Sequence, residues 1–249
     1  KAGCEIIRAA VPDMAAVKLI EKLKENLTVP VVADIHFDYR LALASIDAGV
    51  DKIRINPGNI GSFDRVKAVA DACANRGVPI RIGVNAGSLE KEILAEYGSP
   101  CAEALVKSAL KHVELLERCD FGDTVISIKS STVNTMVEAY ELMAQKCDYP
   151  LHLGVTEAGT YNMALIKSSI GIGSLLLKGI GDTIRVSMTD DPVKEVKAAN
   201  DILQAIGLKT DCPDIVACPT CGRTKIDLIA LANEVEARLV GCKKHIKVA

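Results

Sequence analysis

Seven short runs rich in β-branched residues alternate along the chain with seven amphipathic stretches, and each run ends in polar or charged residues. The runs are predicted as strands over Glu5–Val11, Val29–Ile35, Lys52–Pro57, Pro79–Asn85, Thr124–Ser131, Pro150–Glu157 and Thr183–Thr189. The stretches between and after them are predicted as helices over Met14–Lys24, Tyr39–Ala48, Phe63–Asn75, Cys101–Glu117, Val133–Gln145, Thr160–Leu177 and Pro192–Ala205. Asp13, Asp38, Ser62 and Asp191 stand where N-caps belong, and Gly49, Gly77 and Gly207 stand near helix ends. Strand–helix alternation of this regularity implies a parallel sheet. Near-continuous apolar runs such as Val29-Pro-Val-Val-Ala suit strands buried on both faces.

An open doubly wound sheet and a closed barrel both satisfy that alternation, but they gather chemistry in different places. The open sheet uses one switch point, whereas the barrel uses the whole rim formed by the strand C-termini. Here every strand end carries polar groups: Arg8, Asp34 and His36, Arg54 and Asn56, Arg81 and Asn85, Ser127 and Lys129, Thr156 and Glu157, Arg185 and Ser187. An α/β fold of the TIM (β/α)8 type is therefore expected, with about seven βα units present. The chain opens at Lys1 almost directly into a strand, so the first βα unit is expected to lie outside it.

Past Gly207 the texture changes. A linker-like Thr210-Asp-Cys-Pro-Asp precedes Cys218-Pro-Thr-Cys221-Gly-Arg and a helical pattern from Asp227 to Leu239. The domain reading is a substrate-binding barrel over 1–208 and the start of a small α/β domain over 209–249, cut before its end.

Composition narrows the function classes. A net charge of −2 provides no general basic field for nucleic acid or acidic lipid. Trp is absent and aromatics are 3%, which argues against stacking platforms for single-stranded nucleic acid. No apolar run reaches the roughly 18 residues a membrane helix needs. The most apolar stretch, Ser168 to Ile180, reads as a buried barrel helix. Nine cysteines, an odd number set mostly within helix and strand patterns, indicate a reducing cytoplasm.

Side chains two apart in a strand share a face, so Arg54 points with Asn56, Arg81 with Asn85, Ser127 with Lys129 and Arg185 with Ser187. Four arginines on different strands, desolvated in a barrel lumen, need an anionic partner. Arg matches phosphate oxygens bidentately, so a diphosphate or bisphosphate ligand is expected. The competing reading is an internal network of Arg with Asp34 and Glu157. Glu157, among cations and beside a polyanion, can hold a proton and act as general acid, or simply pair with Arg185 or Lys129. Asp34 and His36 share a strand end, where they orient a ligand or each other. His112 and His245 read as surface residues, and His152 as a satisfied core residue. Cys218 and Cys221 form a C-x-x-C that suits half a zinc ribbon, half an iron–sulfur site or a redox dithiol. Cys212 and Cys242 are weaker ligand candidates.

Six segments together resemble the GcpE/IspG family, the 4-hydroxy-3-methylbut-2-enyl diphosphate synthases of the methylerythritol phosphate route to isoprenoids. They are Ala33-Asp-Ile-His-Phe-Asp, Lys52-Ile-Arg-Ile-Asn-Pro-Gly-Asn, Pro79-Ile-Arg-Ile-Gly-Val-Asn-Ala-Gly-Ser-Leu, Leu153-Gly-Val-Thr-Glu-Ala-Gly, Gly181-Asp-Thr-Ile-Arg-Val-Ser and Ala217-Cys-Pro-Thr-Cys-Gly-Arg. The resemblance implies reductive ring opening and dehydration of 2-C-methyl-D-erythritol 2,4-cyclodiphosphate, with electrons from ferredoxin or flavodoxin through a 4Fe–4S cluster. It also implies a homodimer. It assigns Arg8, Arg54, Asn56, Arg81, Asn85, Lys129, Arg185 and Ser187 to the diphosphate, Glu157 to proton donation, and Cys218 and Cys221 to the cluster. The family's first βα unit and its remaining cluster ligands, a third cysteine and a glutamate, are expected to lie beyond the two ends. The piece alone is then expected to hold no complete cluster and to be inactive. The alternative is a barrel synthase or binding protein for another diphosphate, with a zinc-ribbon tail.

Overall fold

The computed structural model describes residues 2–249, with Lys1 outside them. It comprises two compact units, Lys1–Ala199 and Asn200–Ala249. In chain order the first unit holds β1 (Ile7–Ala10), α1 (Met14–Asn26), β2 (Val31–Asp34), α2 (Tyr39–Asp47), β3 (Lys52–Ile55), α3 (Pro57–Ile60), α4 (Phe63–Arg76) and β4 (Ile80–Asn85). It continues with α5 (Lys91–Tyr97), α6 (Ala102–Glu117), β5 (Thr124–Lys129), α7 (Val133–Ala144), β6 (His152–Leu153), α8 (Tyr161–Leu176), β7 (Thr183–Ile184) and the greater part of α9 (Pro192–Ala205).

All seven strands are parallel and follow chain order: β1 to β5 form one sheet, β6 and β7 another, and a bridge from Ile126 to Leu151 joins the two. Sequential parallel order with helices between is the arrangement of a βα barrel. One face of the strands is apolar apart from the buried Thr124. Ile53, Ile55, Ile80, Ile82, Ile126 and Ile128 have no solvent exposure, and that face forms the layer beneath the helices. Asp13 caps α1 by accepting from Ala16 N, and Asp38 caps α2 by accepting from Arg40 N. Ser62 precedes α4 without a side-chain cap, while Gly77 closes that helix in the left-handed conformation at φ 63°.

Three differences from the sequence reading have local causes. Strands β6 and β7 are two residues each, shorter than predicted. Between β5 and β6 the wholly buried Tyr140 of α7 supplies part of the ladder: its hydroxyl accepts from Ile128 N at 2.9 Å and donates to the His152 carbonyl. Short helices α3 and α5, and a 3-10 turn over Ala86–Ser88, occupy stretches read as loop. Finally, α8 is buried on one side only, since Met163, Ile166 and Ile170 are more than half exposed.

The second unit pairs β8 (Asp214–Ile215) in parallel with β9 (Lys247–Val248) beside α10 (Leu228–Leu239). Asp227 caps α10 by accepting from Ala230 N, and none of the helix's residues is buried. Among the described residues no helix is long and apolar enough to cross a membrane.

Candidate anion site and cysteine loop

Register decides which side chains meet inside the barrel. Asp34, Arg54 and Arg81 are direct partners across β2, β3 and β4. Further along the ladder Gly83 faces Ser127 and Asn85 faces Lys129, and His152 faces Thr183 across β6 and β7. With a side-chain period of two, these residues and Arg8 fall on the face opposite the isoleucine layer. A pocket on that side is lined chiefly by Arg8, Lys129, His152, Thr156, Arg185 and Ser187.

Asp34 is the hinge of the charge network. Its Oδ1 accepts from Arg54 Nη1 at 2.9 Å, and its Oδ2 lies 3.2 Å from Arg8 Nη1. Burial would raise this carboxyl's pKa, but Arg54 and then Arg8 outweigh burial and hold it below its ordinary value. Arg54 also donates from Nη2 to the Gly83 carbonyl at 3.1 Å. Gly83 makes room for it, because a Cβ there would land on the guanidinium. The internal network considered from sequence therefore exists for Arg8 and Arg54. Glu157 is exposed and outside it.

Arg81 is different. It is 5% exposed, and its Nε and Nη2 have no hydrogen-bond partner among the described residues. Burial, then Arg8 and Arg54, push its pKa down to about 10. Lys129 goes further, to about 7, for the same first reason and then because Arg54, Arg8 and Arg81 surround it. A buried cation without a partner is costly, and an anion in the lumen removes that cost.

Two amides repeat one device. Asn56 Oδ1 accepts from Gly58 N at 3.1 Å, and Asn85 Oδ1 accepts from Gly87 N at 3.2 Å. Each Asn-x-Gly turn commits the side-chain oxygen to the backbone, so the group left to offer an anion is the NH2 donor.

Of two inward histidines, His152 is satisfied as expected, although at the pocket wall, and His112 departs from expectation. His152 lines the pocket, and its Nδ1 shares a 2.8 Å hydrogen bond with Thr183 Oγ1. Burial first, then Arg81 and Lys129, push its pKa well below the ordinary histidine range, so it is a neutral ring among cations. Its spacing of two before Gly154 and four before Thr156 carried the signal, because that parity puts it on the ligand face. His112, read as a surface residue, is 2% exposed, since the inner face of α6 meets the loop after β3. His36 and His245 are exposed. Glu157 follows the pocket residue Thr156 and holds φ 50°, an unusual left-handed value for a side-chain-bearing residue.

In the second unit Cys218 and Cys221 are both exposed. The Arg223 backbone N–H, then the Thr224 hydroxyl, hold the Cys221 thiol below its ordinary pKa, which favours the thiolate that metals require. Two thiols in a tight loop fit part of a metal or cluster site. Among the described residues no group of three or more His, Cys, Asp or Glu gathers to complete one.

The sequence matches the pattern of the GcpE TIM-barrel domain over residues 1–200 and of the GcpE protein C-terminal domain over 214–249. The chain belongs to the GcpE family. It is 59% identical over 249 residues to the 4-hydroxy-3-methylbut-2-en-1-yl diphosphate synthase (flavodoxin) of Clostridium perfringens, covering all of this chain and 71% of the relative. The protein of the same name from Caldanaerobacter subterraneus is 60% identical over 247 residues, covering 99% of this chain and 70% of its own. Solved structures of dihydropteroate synthase share the fold alone. The Yersinia pestis enzyme with a sulfonamide drug has TM-score 0.55 at 12% identity, covering 83% of this chain and 82% of that one. The Clostridium difficile enzyme in the presence of pteroic acid has TM-score 0.55 at 15% identity, covering 82% and 83%. The barrel expected from the strand ends is thus the family's own fold.

Proposed function

We propose that this GcpE chain carries the substrate barrel, and part of the cluster domain, of a 4-hydroxy-3-methylbut-2-en-1-yl diphosphate synthase. Its substrate on this reading is 2-C-methyl-D-erythritol 2,4-cyclodiphosphate. The observation that carries the reading is Arg81, a buried guanidinium with two unpartnered nitrogens on the ligand face of the barrel. Asp34 holds Arg8 and Arg54 in fixed orientation, so cationic charge is presented without rearrangement, the condition under which charge stabilisation is most effective. Arg8, Arg54, Arg81, Lys129 and Arg185 neutralise the diphosphate, while Asn56, Asn85 and Ser187 donate hydrogen bonds to it. Opening the ring moves charge onto a phosphate oxygen, and the same cations stabilise it there. Glu157 gives a proton to the oxygen that leaves as water.

Cys218 and Cys221 contribute two thiolates to a 4Fe–4S cluster on this reading. When bound, the cluster supplies the two electrons that ring opening consumes. The flavodoxin in the relatives' name supports flavodoxin as the donor, with ferredoxin the other small carrier of this type. The exposed apolar row on α8 supports a homodimer, and the cysteine usage supports the cytoplasm. Titration of the full chain with the cyclodiphosphate tests the pocket. Arg81→Met should weaken binding by about ten- to a hundredfold, as for loss of charge-assisted hydrogen bonds, and an unchanged affinity removes the assignment.

A further inference from the structure

The loops after β3 and β4 present the two ligand-facing amides, and one buried cluster touches both. The first loop runs Asn56-Pro57-Gly58. A Cβ added at Gly58 would sit 2.8 Å from His112 Cε1, so the imidazole lies directly against that backbone. The second loop starts at Asn85 and ends at Glu90, the N-cap position of α5. Glu90 Oε2 accepts from Ser108 Oγ at 2.7 Å. Its Oε1 is buried, lies 3.2 Å from His112 Nε2 and makes no hydrogen bond among the described residues, so the ring and the carboxylate meet as an electrostatic and packing contact. Ser108 and His112 stand four apart on α6, so one helix face holds the carboxylate from two points.

We propose that Glu90 and His112 are positioning residues: together they brace the loop of Asn56 against the loop of Asn85 and so fix the spacing of the two amide donors that meet the anion. The inference rests on the anion-pocket reading above. Two short loops left free would each have to be immobilised by the ligand, which costs affinity for every group ordered. A cross-brace made before binding removes that cost. The imidazole sits 3% exposed at its side chain, and burial lowers its pKa against the opposing pull of Glu90. The brace is therefore held by close packing of the ring between the Gly58 backbone and the Glu90 carboxylate.

The test is titration of the full chain with the cyclodiphosphate. His112→Ala should bind about tenfold more weakly, a loss of the size expected for ordering one or two loop side chains. His112→Gln, which restores a donor near the same place, should return affinity to within about twofold. In a background of Asn56→Ala with Asn85→Ala, His112→Ala should cost nothing more, because a brace acts only through the groups it positions. That non-additivity is what a merely structural residue would not give. Native affinity in His112→Ala, or the same loss in the amide-free background, overturns the proposal. Should His112→Ala not fold, Gly58→Ala presses on the ring from the exposed side of the loop, and the same loss with the same non-additivity is expected. Arg81→Met separates the two claims. Affinity lost there but kept in His112→Ala sinks the brace alone, and affinity kept in both sinks the pocket and the brace with it.

Discussion

Arg81 and Lys129 carry the same electrostatic burden in different ways. Arg81 Nε and Nη2 have no hydrogen-bond partner among the described residues, so Arg81→Met removes a buried charge and breaks no bond at those two nitrogens. Stability of the anion-free protein should hold, or rise by about 1–3 kcal/mol, as when buried charges are replaced by apolar groups of like size. A denaturant midpoint that falls would show that the guanidinium is paired after all. Lys129, at about 7, is half neutral near neutrality in the anion-free pocket. An anion beside it favours the charged form, so binding takes up protons above pH 7. Affinity should accordingly decline as pH rises through the window between the free and bound pKa values. Calorimetry at pH 8 in two buffers of different ionisation enthalpy should register uptake approaching about one proton, absent in Lys129→Met. Proton release would contradict the charge assignment. At this scale the sequence was most readable where parity operates, as for Arg54 with Asn56 or Ser127 with Lys129. It was least readable for His112, because helical periodicity does not reveal which loop will fold down over α6.

The elements were legible wherever apolar periodicity and caps agreed. Helices α1, α2, α6 and α7 begin and end within two residues of their predicted bounds. The missed pieces, α3 and α5, are four and seven residues long, too short for a periodic signal and nucleated by tertiary contact instead. The shortened β6 has a cause that no one-dimensional pattern contains, since a tyrosine from the preceding helix, α7, takes over ladder bonds. Gly154 in that region is a constraint of its own: a Cβ there would meet the Arg185 carbonyl oxygen at 2.7 Å. Gly154→Ala should therefore force β6 from β7 and cost about 1–3 kcal/mol, as overpacking does. A thermal or denaturant midpoint matching the parent would show that the two strands separate freely.

For the whole molecule, the two units differ in how much they bury. The first has a continuous apolar layer under its helices, whereas α10 of the second has no buried residue. Amide exchange should follow that contrast, with β3, β4 and β5 protected towards the global limit and α10 exchanging well before them. Equal protection would mean that α10 is covered in solution. In anaerobically prepared protein extended to carry the remaining cluster ligands, Cys218→Ser should abolish iron and sulfide loading while leaving cyclodiphosphate affinity unchanged, and full loading would exclude Cys218 as a ligand. The fold and the cationic rim were legible because both arise from a repeat that recurs along the chain. The completion of the cysteine site was not, because two thiols at one spacing serve zinc, iron–sulfur and dithiol chemistry alike.

The paired Asn-x-Gly turns sit at the ends of neighbouring strands, and adjacent strands stand about 4.8 Å apart. Because each amide oxygen is tied to its own turn, neither side chain can swing round to show an acceptor, so that stretch of the rim is fixed in polarity and turns away any ligand that needs to donate there.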